Sequence, residues 1–119
     1  MTLLETKIER NITAGSYWTI IKHFEECSPE NRKPYIEVHM DIDGLEVVDR
    51  WYAARIPYIM HCLRDQYNLT QEMSLADLLK IASTHGVGLT VSYDPQYGRQ
   101  IDYRYLNGMF TVDRYPEEL

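Results

Sequence analysis

Tyr35-Ile-Glu-Val-His-Met-Asp-Ile-Asp43 is the stretch from which the fold can be read. Ile36, Val38, Met40 and Ile42 are apolar and alternate with Glu37, His39, Asp41 and Asp43. Successive side chains of a strand point to opposite faces. A period of two therefore predicts a half-buried strand with an apolar inner face and an acidic outer one.

Upstream, Tyr17 to Cys27 fits two patterns. Tyr17, Ile20, Ile21 and Phe24 make a helical stripe, whereas Trp18, Ile20 and Phe24 share one face of a strand. The β-branched and aromatic run Tyr17-Trp-Thr-Ile-Ile21 favours the strand. Ser28 to Pro34 reads as a loop, which makes residues 17–43 a long hairpin. Thr13 to Ser16 is a break, and Leu3 to Ile12 is either a short helix or an opening strand.

Downstream of Gly44 the period changes. Val48, Tyr52, Ile56, Ile59, Met60, Leu63 and Tyr67 step by three or four, the stripe of a one-sided helix. Asp43 with Glu46 three residues on resembles a capping box, and Pro57 is expected to kink or split the helix. A second helix is predicted over 75–85. Ser74 and Asp77 lie at its start, Leu75, Leu78, Leu79 and Ala82 on its buried side, and Gly86 at its end. Leu89, Val91 and Tyr93 then alternate as a strand, and Asp94 to Gly98 turns the chain. Asn107-Gly108 predicts a tight hairpin with Ile101, Tyr103, Tyr105, Phe110 and Val112 on one face and Asp102 opposite Asp113 on the other. The expected fold is α+β: one domain spanning residues 1–119, with an antiparallel sheet made of an N-terminal hairpin and a C-terminal meander, and two helices packed on one face.

The 119 residues suffice for a core, and 45% hydrophobic with 25% charged residues is an ordinary globular balance. Ten tyrosines are the compositional oddity; such residues fill strands and also serve interfaces. A net charge of −6 argues against direct nucleic-acid binding and suits a basic partner. No basic-then-apolar leader and no membrane-length apolar run is present, so a cytoplasmic protein without membrane contact is expected. Cys27 and Cys62 are too few for a disulfide framework and read as reduced thiols.

No nucleophile motif, phosphate loop or dinucleotide fingerprint occurs, so neither catalytic residues nor a cofactor are assigned. If the two N-terminal strands pair, His23 and Glu25 share a face with Glu37, His39 and Asp41. No H-x-x-x-H or H-E-x-x-H spacing accompanies them, and no metal is assigned.

Three functional readings follow. The first is a non-enzymatic protein that occludes a basic surface of a protein partner. Tyr35, Glu37, His39, Asp41, Tyr97, Asp102, Asp113 and Tyr115 form its contact set. Immunity proteins and phage-encoded inhibitors of bacterial defence share this general profile of small size, low pI and aromatic richness. The second is a small-molecule pocket, enzymatic or not, lined by Trp51, Tyr52, Tyr103 and Tyr105. The third rests on a resemblance. Ser74-Leu-Ala-Asp-Leu-Leu-Lys-Ile-Ala-Ser-Thr-His-Gly-Val-Gly-Leu-Thr-Val-Ser-Tyr-Asp-Pro95 is similar to the terminal helix and following strand of some phage- and antitoxin-type helix-turn-helix regulators. That would imply DNA binding, with a recognition helix upstream, where Arg50 to Tyr67 holds Pro57 and only three arginines. Exposed hairpin edges would also allow a homodimer.

Overall fold

The computed structural model describes Leu4 and residues 12–104. The order is β1 (Gly15–Thr19), β2 (Ile21–Cys27), β3 (Tyr35–Ile42), β4 (Leu45–Tyr52), α1 (Ile56–Gln66), α2 (Leu75–Thr84), β5 (Val87–Asp94) and β6 (Gly98–Asp102). The α+β class holds. The strands divide into two antiparallel three-stranded sheets, ordered β1-β5-β6 and β2-β3-β4. Residues 17–27 are strand, as their β-branched run indicated. The expected hairpin at Asn107-Gly108, with Asp113 and Tyr115, lies outside the described residues, as does most of 3–12.

β1 and β2 are nearly one strand, broken at Ile20 and bulged between Ile21 and His23. The first half pairs with β5 and the second with β3, so one bent strand belongs to both sheets. The Thr19 hydroxyl donates to the Asp41 carbonyl at the corner. Counted this way the described residues form five strands, the first shared by both sheets and the helices placed between the third and fourth.

Residues 45–52 are a strand and not the start of a helix. Asp43 and Gly44 have φ of 52° and 80°, the pair of positive angles a two-residue type I′ turn requires. Ile42 consequently pairs with Leu45, and Asp43 is a turn residue instead of a cap. Val47 and Trp51 point into the core, while Val48 and Tyr52 face out. The helix begins at Ile56 with Pro57 in its first turn, where the missing N–H costs nothing, so the proline opens the helix and does not kink it. α2 follows expectation: the Ser74 hydroxyl accepts the Asp77 amide at 3.2 Å, and Gly86, with φ of 92°, lies just past the end.

A single core joins both sheets and both helices. Val38, Met40 and Ile42 from β3 meet Val47 and Trp51 from β4, Leu63 from α1, Leu78 and Leu79 from α2, and Leu89 and Val91 from β5. α2 packs on β2, and α1 contacts α2 and β5.

Among the described residues β4 and β6 are the outer edges of the two sheets, and side chains close the seam between them. Arg55, just before α1, donates to the Arg50 carbonyl on β4 at 3.3 Å and to the Ile101 carbonyl on β6 at 2.8 Å. It also reaches Asp49 Oδ1 at 3.4 Å. Tyr103 OH donates to Asp49 Oδ2 at 2.8 Å, and the Trp51 indole N–H lies 3.0 Å from Tyr103 OH and 3.1 Å from Asp49. Burial, reinforced by the Asp49 charge, holds the Tyr103 phenol well above its usual pKa and keeps it a donor. Arg55→Ala should therefore lower stability by about 1–2 kcal/mol, the low end for charged hydrogen bonds because Arg55 is partly exposed. A lower urea midpoint at unchanged m-value is the expected readout; an unchanged midpoint would show that the seam holds without it.

Candidate functional site

The outer face of β2-β3-β4 carries most of the polar side chains singled out by sequence, and the register arranges them in cross-strand rows. His23, His39 and Val48 form one row, Glu25, Glu37 and Arg50 the next, and Cys27, Tyr35 and Tyr52 the last. At the other end Asp41 pairs with Glu46, and Lys22 Nζ lies 3.0 Å from Asp41 Oδ2. Lys22, His23, Glu25, Asp41, Glu46, Val48, Arg50 and Tyr52 are exposed, and the remainder are half-buried.

The face is polarised. At the Tyr35 end, the Tyr35 and Tyr52 rings stand 5.3 Å apart, tilted by 51°. The Arg50 guanidinium lies 4.8 Å from the Tyr35 ring centroid, within cation–π range. The loop over 28–34 carries Arg32 and Lys33 just ahead of Pro34 and Tyr35, both exposed. At the other end Glu37, Asp41 and Glu46 gather around His39 and Lys22. His39 Nε2 is 2.8 Å from Glu37 and its Nδ1 is 3.3 Å from Glu46, and these hydrogen bonds raise its pKa above the ordinary histidine value. Burial, the largest influence on Tyr35, raises its phenol pKa, so the ring is neutral at physiological pH.

Tyr35, Glu37, His39 and Asp41 thus share one surface, as expected. Tyr97 is at the tip of the β5–β6 turn and largely exposed. Asp102 is not part of the acidic face. It sits on the other sheet, where its Oδ1 accepts Tyr58 OH at 3.1 Å and the Arg104 amide at 2.8 Å. Asp113 and Tyr115 fall outside the described residues. Trp51, Tyr52 and Tyr103 do not line a common pocket: Trp51 and Tyr103 are buried edge-to-face at 5.0 Å, Tyr52 faces outward, and Tyr105 is not among the described residues. A cleft of about 400 Å³ instead opens at the seam beside Asp49, Arg55, Tyr58, Arg99 and Asp102.

Protein-family models, curated proteins and solved structures provide no match to this chain. Its chemistry must be read from its own residues.

Arg50 and Tyr52 are the members of the face that helical periodicity hid. The Asp43-Gly44 turn would have found them, since a two-residue loop places Tyr52 opposite Tyr35 and Arg50 opposite Glu37. Among the described residues, no group of three or more His, Cys, Asp or Glu side chains is placed to hold a metal ion. Cys62 is buried, and that burial raises its thiol pKa, which suppresses the thiolate form. No described helix is long and apolar enough to cross a membrane.

Proposed function

We propose that the chain is a non-enzymatic binding protein whose β3–β4 face takes single-stranded nucleic acid. The observation that carries this reading is the Tyr35–Tyr52 pair with Arg50 over Tyr35. It lies on the second and third strands of a five-stranded OB-type order, beside a first loop bearing Arg32 and Lys33. That hairpin and its neighbouring loops are where such barrels hold oligonucleotides. Aromatic rings stack bases of any sequence, and arginine adds a cation to the platform. The charge of −6 is summed over the whole sequence, whereas Arg50 stands over Tyr35 on the face itself and Arg32 and Lys33 lie on the preceding loop. Tyr97 lies on the turn between the last two described strands, which corresponds to the second loop that such barrels use for oligonucleotides.

Fluorescence anisotropy with a labelled oligothymidylate of about a dozen nucleotides tests this reading. Tyr35→Ala and Tyr52→Ala should each weaken binding by about 1–3 kcal/mol, which is roughly fivefold to more than a hundredfold. Absence of binding at low salt, or full affinity in the double variant, removes the reading.

A second reading keeps the same face but gives it a protein partner with a basic surface. Glu25, Glu37, Asp41 and Glu46 favour it, four carboxylates on one open sheet face. One variant separates the two. Glu37→Lys with Asp41→Lys should strengthen oligonucleotide binding but abolish docking on a cationic protein.

A further inference from the structure

His39 stands mid-face with a carboxylate at each ring nitrogen: Glu37 Oε1 2.8 Å from Nε2 and Glu46 Oε1 3.3 Å from Nδ1. Neutral imidazole carries one N–H. In that form one of the two contacts sets a nitrogen lone pair against a carboxylate oxygen; only imidazolium donates to both. Because Glu46 belongs to β4 and Glu37 to β3, the charged ring straps the two strands of the platform.

The other charged and titratable groups around it are accounted for. From β2, Lys22 is engaged with Asp41 at 3.0 Å, and His23 stands 5.4 Å away ring to ring with its own Nε2 3.8 Å from Glu25. From β4, Arg50 sits in the next row, opposite Glu37 and over Tyr35. His39 is therefore the group best placed to change the charge at Glu37 and Glu46 together.

We propose that His39 is a proton-operated control of this face. As imidazolium it masks Glu37 and Glu46 and lets a polyanionic strand cross from the Tyr35 end; as neutral imidazole it leaves both carboxylates to repel the strand. The proposal rests on the single-strand reading above. The sign follows from the partners: two carboxylates favour the charged form, so the folded-state pKa exceeds the ordinary value of 6.5. The strap is complete below that value and is lost as pH rises through the folded pKa.

The test measures oligothymidylate affinity between about pH 6 and pH 8.5, together with the NMR titration of the His39 ring. The wild type should lose about threefold to fivefold in affinity over this range, the scale of one exposed ion pair. His39→Arg should hold the low-pH affinity throughout, His39→Gln should be weak throughout, and His23→Gln should keep the wild-type profile. Binding that is flat with pH in the wild type, or a His39 ring titrating at or below 6.5, overturns the proposal and leaves the single-strand reading standing. Absence of binding at every pH overturns both.

Discussion

Trp51→Ala is expected to destabilise the protein by about 3–5 kcal/mol, the range for removing a large buried aromatic. Trp51 has no exposure and joins both sheets at the seam, meeting Tyr103 edge-to-face at 5.0 Å. Its loss leaves a void and also removes the N–H that Tyr103 and Asp49 share. For a chain of this length each kcal/mol shifts Tm by about 4 °C, so a fall of roughly 12 °C or more should appear by calorimetry. Trp51→Phe separates packing from hydrogen bonding, because it keeps a ring and loses only the donor. A cost for alanine below about 1 kcal/mol would mean that the core collapses around the site and that Trp51 does not hold the seam.

Gly86→Ala should cost about 2–4 kcal/mol, combining left-handed backbone strain with overpacking. Gly86 has φ of 92°, and a Cβ there would lie 2.3 Å from the Trp18 indole nitrogen and 3.0 Å from the Thr19 carbonyl. Its own carbonyl accepts the Tyr67 hydroxyl at 2.7 Å, so the backbone cannot shift without losing that bond. Gly98 is the matched control. Its φ of 78° imposes similar strain, but nothing lies within 4 Å of an added Cβ. Gly98→Ala should therefore cost only the conformational part, about 1–2 kcal/mol. Equal losses in the two variants, measured by urea denaturation, would show that the approach of Trp18 and Thr19 to Gly86 adds nothing.

Much of the fold is written locally. The alternation from Ile36 to Ile42 assigns inner and outer faces to β3, and Val38, Met40 and Ile42 are indeed buried. Ser74, Asp77 and Gly86 mark both ends of α2, because capping and left-handed turns involve neighbours in the chain. β4 carries a periodicity that suits a helix equally well. Val48, Tyr52 and Ile56 are four residues apart, and an interval of four is even, so it preserves a strand face as well as a helix face. The Asp43-Gly44 turn breaks that tie, and with it come Arg50 and Tyr52 of the candidate site.

The remainder required the third dimension. No local signal tells β1 and β2 to bend at Ile20 and serve different sheets; the bend exists because β5 and β3 claim successive halves of one strand. Asp102 seemed to belong with Glu37 and Asp41, yet β6 lies in the other sheet and directs it to Tyr58. Arg55 had no assigned role until β4 and β6 met at the seam and offered it carbonyls from both.

By itself the sequence determined the α+β class, the two faces of β3, the capped second helix and the presence of acids, imidazole and tyrosine on one strand. Those properties depend on residues within a few positions of one another. Only the tertiary structure decided that the strands form two sheets sharing a bent strand, that Arg50 and Tyr52 join Tyr35, and that His39 lies between two carboxylates from adjacent strands. Each of these depends on pairing between distant segments, and register is set by the whole core closing at once.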